Sequence, residues 1–264
     1  MAIHETAIVD SKAEIDPTVE IGPYAVVEGP VRIGANTKIL HHGCVSGWTE
    51  IGQGCEIHPF AVVGGPPQDL TYHGEESWCR IGDETIIREG ATIHRSATAG
   101  AETRIGNGCL IMATCHIGHD CRFGDRVIQA SGSALAGHVQ VGDGVFIGGT
   151  AGIHQFVRIG ELAMIGGVAA ISMDVPPFFM ATHFSECTGI NLVGMKRAGY
   201  GRAECTELRN AYKCLYRSGL SFSEAVEKVA ATVDTEPGRR LVEFLRAPSK
   251  RGISGARRRD SAGP

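Results

Sequence analysis

Four histidines in the middle of the chain, His116, His119, His138 and His154, carry the side chain best suited to moving protons near neutral pH. Their spacing looks irregular along the chain, but not around a coil of eighteen residues. Divided by eighteen, their numbers leave remainders of 8, 11, 12 and 10, and Gln155 leaves 11. A chain completing one circuit every eighteen residues would stack these groups on successive coils along one edge. Asp120 directly follows His119 and could support it as a base. Two other uses of such an edge stay open. One is a row of solvent-facing histidines with no task. The other is a zinc site, for which spacing alone identifies no third ligand beside His116 and His119.

The circuit is written in the sequence as a six-residue repeat. Ile21-Gly22, Ile33-Gly34, Ile51-Gly52, Ile81-Gly82, Ile105-Gly106, Ile117-Gly118 and Ile147-Gly148 are separated by multiples of six. Every sixth residue from Ile3 to Ile171 gives 29 positions, of which 24 are Ile, Val or Leu; only Asp69, Glu75, Ala99, Phe123 and Gln129 depart, which leaves no room for coincidence. Four residues after each aliphatic position the side chain is small, as at Ala25, Thr37, Cys55, Ala61, Cys109 and Ala151. One large and one small inward side chain per hexad fit a short strand followed by a sharp turn. Three such strands close a triangular coil, and coils stack at about 4.8 Å, so roughly ten coils make a rod of about 45–50 Å. The expected architecture is a parallel β-helix, with turn glycines supplying positive φ at its corners.

Composition agrees with this reading. The 264 residues include 36 glycines and only 6% aromatics, which calls for many tight turns. A formal charge of −4 argues against a dedicated nucleic-acid or membrane-surface protein. No apolar run approaches the ~18 residues of a transmembrane segment, and the amino terminus lacks the order of a secretory signal, so the expected compartment is the cytoplasm. Of nine cysteines, Cys55, Cys79, Cys109, Cys115 and Cys121 fall on the small inward position, where a thiol behaves as a compact hydrophobe; neither disulfides nor a metal pattern are expected.

The rod is expected over residues 1–180. Gly65 to Trp78 is too polar and turn-rich for coil wall, so a loop should project near 65–80; a second break lies around Arg95 to Ala101. Both keep the register modulo six, so distorted coils are an alternative to free excursions. Residues 181–248 read as a small helical domain. Helical spacing runs from Glu204 to Tyr216, Ser221 with Glu224 forms a capping box, and Pro237-Gly238 interrupts the pattern before Leu241 to Leu245. The basic tail of residues 249–264, with Lys250, Arg251, Arg257, Arg258 and Arg259, is expected to be disordered.

Several ordered motifs carry a more specific likeness. They are Gln68-Asp69-Leu70 with Tyr72 and Gly74, Ala91-Thr92-Ile93-His94-Arg95, His116-Ile117-Gly118-His119-Asp120-Cys121, and Leu135-Ala136-Gly137-His138-Val139. Further along come Gly149, His154-Gln155-Phe156, Asp174-Val175-Pro176-Pro177, and Asn191 with Gly194 and Lys196-Arg197. Together, from Ile3 to about Gly219, the chain resembles the UDP-N-acetylglucosamine acyltransferases that begin lipid A synthesis. The resemblance implies an all-β, left-handed parallel β-helix of hexapeptide repeats followed by a small α-helical C-terminal domain. It implies transfer of an (R)-3-hydroxyacyl group from acyl carrier protein to the sugar 3-hydroxyl, with no cofactor and no metal. His119 would be the general base, Asp120 its support, and the Gly137 backbone N–H the oxyanion donor. Gln68 and Asp69 would hold the sugar, with His116, His138, His154 and Gln155 contacting sugar, acyl hydroxyl or nucleotide. Asn191 and Arg197 match residues that contact the nucleotide. Gly167 falls where the family measures acyl length.

The family also forms homotrimers with sites between rods. Lys196, Arg197, Arg202, Arg209, Lys213 and Arg217 could then face an acidic carrier protein, although a solvated helix surface explains them equally well. Thr71 stands where the family commonly has lysine, and Val193 and Ala198 replace an acidic and a basic residue. A 3-amino sugar nucleotide would need the same base and oxyanion donor, so N-acyl transfer is the nearest alternative. A zinc-dependent hydratase and a non-catalytic rod are more distant ones.

Overall fold

The computed structural model describes residues 2–256. Each hexad contributes a strand of two to four residues, such as His116–Ile117, and the strands stack into three sheets of twelve, nine and eight. The aliphatic positions lie in register one coil above another: Ile117 pairs with Leu135, Leu135 with Ile153, and Ile153 with Ile171, all parallel. These side chains are between 0% and 3% exposed, and burial of each stabilises the rod by about 1.5–3 kcal/mol. The small inward position is equally buried at Ala25, Cys55, Ala91, Cys115 and Ala163. Burial pushes the thiols of Cys79 and Cys121 up to about 12, which makes them inert packing groups, and all nine cysteines are free.

Glycine supplies the expected positive φ at some corners, with Gly54, Gly90, Gly108, Gly132 and Gly144 at 61° to 72°. Positive φ recurs at every sixth residue, but many of those residues are not glycine: Asn36, His42, Glu84, Thr114, Asp120, Arg126, His138, Thr150 and Phe156 all lie between 54° and 66°. The glycines of the Ile-Gly pairs have ordinary φ. A Cβ on Gly106 would lie 2.3 Å from the carbonyl oxygen of Gly124, so glycine is required there because the next coil is too close.

Both interruptions leave the rod at one corner, between the nine-stranded and the eight-stranded sheet. Ile51 pairs with Ile81, thirty residues on, and Ile81 with Ile105, twenty-four on, whereas undisturbed coils advance by eighteen. The insertions are therefore multiples of six, which is why the period survives them. Asp69 and Glu75 lie in the first and Ala99 in the second, so three of the five departures from the aliphatic row are not coil positions. Phe123 and Gln129 are true coil positions, at 4% and 0% exposure.

The sheet does not stop near residue 180. Phe179–Thr182 joins the twelve-stranded sheet and pairs antiparallel with Glu186–Ile190. Four helices follow: α1 (Leu192–Arg197), α2 (Arg202–Arg217), α3 (Phe222–Ala230) and α4 (Glu236–Arg246). The Ser221–Glu224 capping box is formed. Pro237 and Gly238 do not interrupt the chain but sit in the first turn of α4, after the N-cap Thr235, where a missing N–H costs nothing. A second core joins Phe178, Phe179 and Cys187 to Leu208, Tyr212, Val229 and Leu241 of the helices. Beyond α4 the chain returns to the rod, contrary to the disorder expected: Gly255–Ala256 pairs with Glu186–Ile190, and Ile253 bridges Asp174. Arg257, Arg258 and Arg259 lie outside the described residues.

Candidate active site

The corner that carries both insertions also carries His119, Asp120, His138 and Phe156 on successive coils. Asp120 and His138 take left-handed backbone conformations, φ 60° each, a strain of about 1 kcal/mol or more apiece that the coil geometry imposes. The turn aims both side chains outward. His119 Nδ1–H donates to Asp120 Oδ2 at 2.8 Å. The carboxylate is held in turn by the Ser96 hydroxyl on Oδ1 and by the Ala97 N–H at 3.1 Å on Oδ2, while the Asp120 N–H donates to Thr103 Oγ1 at 2.7 Å. Ser96 and Ala97 come from the second insertion, so that short loop positions the acid. Sequence reading passed over Ser96 and Thr103, because contacts between residues about twenty apart become visible only once the offset of the inserted coil is known.

With Nδ1 committed, His119 presents Nε2. Asp69 Oδ2 of the projecting loop stands 3.9 Å away. Asp69 is fixed by Thr71, whose N–H and hydroxyl both donate to its Oδ1 at 2.8 Å, so this threonine serves as a brace. Those bonds hold the Asp69 carboxyl below its usual range. Arg95 pins the loop by donating to the Gly64 carbonyl at 2.8 Å and to the Tyr72 hydroxyl at 3.0 Å. Gln68 beside Asp69 is exposed. Gly137 lies under the His119 ring, and its N–H has no acceptor among the described residues.

The pKa directions separate the histidines. The Asp120 bond raises His119 above the ordinary histidine value, against an opposing effect of burial. Burial lowers His138, and burial with the neighbouring His94 and His119 lowers His116. Burial also works to raise Asp120, but the bonds from His119, Ser96 and Ala97 outweigh it and hold the carboxyl low. One imidazole is thus a strengthened base beside neutral ones, a division typical of acid–base sites.

The four histidines do not form a single strip. His119 and His138 share the corner, with ring centroids 5.2 Å apart, and Phe156 stacks on His138 at 4.6 Å. His116, hydrogen-bonded to Thr92 at 2.9 Å, and the exposed His154 instead line a groove on the nine-stranded sheet with Ala134, Gly152, Ala170 and Phe184. Gln155 is exposed at the corner beside His154. Gly167 is exposed in the turn leading into the Ala170–Ile171 strand. Asn191 is 7% exposed, and both polar atoms of its side chain serve the chain itself: Oδ1 accepts from Gly194 N at 2.9 Å to cap α1, and Nδ2 donates to Leu162 O at 2.8 Å. Arg197 is exposed in the last turn of α1. Neither contacts the histidine corner of this chain. His119, Asp120 and His138 could geometrically ligate a metal, since one ligand atom from each lies within 4.8 Å of the others.

A base with an oriented second nitrogen, an unbonded N–H beneath it and an adjoining groove suit acyl transfer, and the comparisons agree. Residues 174–254 match the family model described as UDP-N-acetylglucosamine O-acyltransferase, domain 2. The chain is 48% identical over 254 residues to the acyl-[acyl-carrier-protein]–UDP-N-acetylglucosamine O-acyltransferase of Thermodesulfovibrio yellowstonii, covering 95% of this chain and 98% of that one. The protein of the same name from Syntrophobacter fumaroxidans is 41% identical, with coverage of 96% and 99%. The solved enzyme of Acinetobacter baumannii superposes with a TM-score of 0.89 at 42% identity, covering 96% and 99%. Fold and likeness define a hexapeptide-repeat acyltransferase built on a left-handed parallel β-helix. The chain belongs to the acyl-[acyl-carrier-protein]–UDP-N-acetylglucosamine O-acyltransferase family.

Proposed function

We propose that this enzyme transfers an (R)-3-hydroxyacyl group from acyl carrier protein to the 3-hydroxyl of UDP-N-acetylglucosamine, the first step of lipid A biosynthesis, with His119 as general base. The observation that carries the reading is the His119–Asp120 bond, which leaves Nε2 facing Asp69, with Gly137, whose N–H has no acceptor among the described residues, packed against the ring. Neutral His119 accepts the hydroxyl proton on Nε2 as the sugar oxygen attacks the thioester carbonyl. Negative charge gathers on the carbonyl oxygen, where the Gly137 N–H stabilises it. Collapse breaks the carbon–sulfur bond, and His119 returns its proton to the departing thiolate. The acyl group passes directly between substrates, and Asp120 stabilises the transient imidazolium.

Asp69 and Gln68 hold the sugar, and His138, kept neutral by burial, bonds a substrate hydroxyl. The groove from His116 past Ala134, Gly152 and Ala170 takes the acyl chain, and Gly167, in the turn before the Ala170–Ile171 strand, bears on its length. Arg197, exposed and remote from this chain's own corner, reaches the nucleotide of a neighbouring subunit in a homotrimer, and Asn191 supports it by capping the helix that carries it. Exposed Arg202, Arg209, Lys213 and Arg217 on α2 receive the acidic carrier protein. No helix among the described residues is long and apolar enough to cross a membrane; a cytoplasmic location is part of the proposal. The test is to offer UDP-N-acetylglucosamine and its 3-amino analogue with a panel of (R)-3-hydroxyacyl carrier proteins of graded length. An ester at O3 is expected; transfer only to the amine, or no transfer, would overturn the reading.

A further inference from the structure

The active corner does not end with the last hexapeptide. One coil above Phe156 the equivalent position is Asp174, whose side chain is fully buried and turned to Arg158, receiving its N–H at 2.8 Å and its Nε at 2.7 Å. The place left at the edge is taken by the returning C-terminal segment. Its main chain is tightly held. Gly252 O accepts from Asp174 N at 2.8 Å, Ser254 N donates to Asp174 O at 2.8 Å, and Tyr216 Oη donates to Ser254 O at 2.8 Å. Arg251 Nε donates to Ser172 O at 2.9 Å, and the Arg251 and Gly252 N–H groups close a turn on Ser249 Oγ.

This segment delivers Lys250. Its Nζ lies 4.3 Å from the centroid of Phe156, whose ring stacks on His138. The side chain is exposed, and no carboxylate among the described residues pairs with the ammonium. A cation–π contact at an exposed site is worth only about 0.5–1 kcal/mol, which positions the charge without neutralising it. A rigid backbone therefore presents an unpaired cation two rings along the corner from His119. Both substrates of the transfer proposed above carry phosphate, but at different reach. The sugar's phosphate is on C1, two ring carbons from the reacting C3. The donor's phosphate is separated from its thioester by the whole pantetheine arm, which suits the longer path from His119 past His138 and Phe156.

We propose that Lys250 binds the phosphodiester of the donor's phosphopantetheine arm and so sets the direction in which the thioester is laid along the corner. A charge-assisted contact of this kind is lost when the ammonium is removed. The inference rests on the acyl-transfer reading, and its test separates the two. Wild type, Lys250→Met and Lys250→Arg are assayed with UDP-N-acetylglucosamine and with acyl-phosphopantetheine or acyl-pantetheine as donor. Wild type should prefer the phosphorylated donor. In Lys250→Met that preference, as a ratio of kcat/KM values, should fall about tenfold, and Lys250→Arg should restore most of it. A ratio is insensitive to the fraction of folded protein. An unchanged ratio in Lys250→Met overturns the inference while leaving the reaction intact. A rise in KM for the sugar nucleotide with the donor ratio unchanged does so too, and assigns the contact to the nucleotide phosphate. Absence of turnover by wild type with either donor overturns the parent reading and this one with it.

Discussion

Gly137 lies so close beneath His119 that a Cβ on it would meet Nε2 and Cε1 of the imidazole at 2.6 Å. The two residues sit on successive coils, joined by the bond from His138 N to His119 O at 2.9 Å. Glycine here makes room for the imidazole. Gly137→Ala should displace the ring, lowering kcat/KM about a hundredfold or more while the unfolding midpoint moves little, since the atoms a Cβ would meet are the far end of one side chain and not backbone. Full activity in that variant would show that the close approach has no bearing on catalysis.

The pH profile follows from the His119–Asp120 bond. A base must be unprotonated, so kcat/KM should fall as pH falls through the His119 pKa, which the carboxylate raises above the usual value of about 6.5. In Asp120→Asn the acidic limb should move to lower pH and the plateau should drop by about a hundredfold or more, as the ring loses its orientation. For stability the senses are opposite. The raised His119 pKa contributes stability that is complete below the unfolded pKa and is lost as pH rises through the folded one. The depressed Asp120 pKa contributes above the unfolded value and is lost as pH falls through the folded one. An acidic limb unchanged by Asp120→Asn would separate the measured ionisation from His119.

Ser96 is fully buried, and its hydroxyl donates to Asp120 while accepting from the Thr98 N–H at 2.9 Å. Ser96→Ala should lower kcat about tenfold and destabilise the fold by about 1 kcal/mol, because the half-buried Asp120 carboxylate loses a donor and the exposed Thr98 N–H an acceptor. Kinetics beside a denaturant titration would check both, and an untouched kcat would mean that the second insertion does not position the acid.

Much of this was legible beforehand, and the remainder fails for identifiable reasons. The coil could be read because each hexad repeats one inward pair, as Ile117 and Cys121 do, so composition and geometry share a period. The corner of His119 and His138 follows from counting by eighteen. The same count merged His116 and His154 into that corner, because remainders of 8 and 10 belong to the strand and the start of the turn, not to its tip. Pro237 reads as an interruption in the sequence, although the first helical turn accepts it. The path of Ser249 to Ala256 was hidden because its backbone pairing with Asp174 and Glu186–Ile190 uses no side-chain pattern.

Gln129 occupies an aliphatic ladder position with no exposure. Its Nε2 donates to Ser133 O at 3.1 Å, but its Oε1 has no partner. Gln129→Leu should raise the unfolding free energy by about 1–2 kcal/mol, since the Ser133 carbonyl keeps its bond from His116 N. A decrease in stability would show that Oε1 is satisfied in solution.

His119, Asp120 and His138 match the ligand count of a catalytic zinc site, and the base mechanism makes no use of one. Dialysis against a strong chelator should leave kcat/KM within about twofold, and elemental analysis should find less than a molar equivalent of metal. Activity lost to the chelator and regained with zinc would replace the base by a metal-bound one.

The central claim is that His119 removes the hydroxyl proton, and His119→Ala assayed with UDP-N-acetylglucosamine and an accepted acyl carrier protein tests it most directly. Following the released thiol and the acylated sugar together, the account predicts a fall in kcat of about 10²–10⁴-fold with unfolding close to that of wild type. Turnover at the wild-type rate in that variant would contradict it.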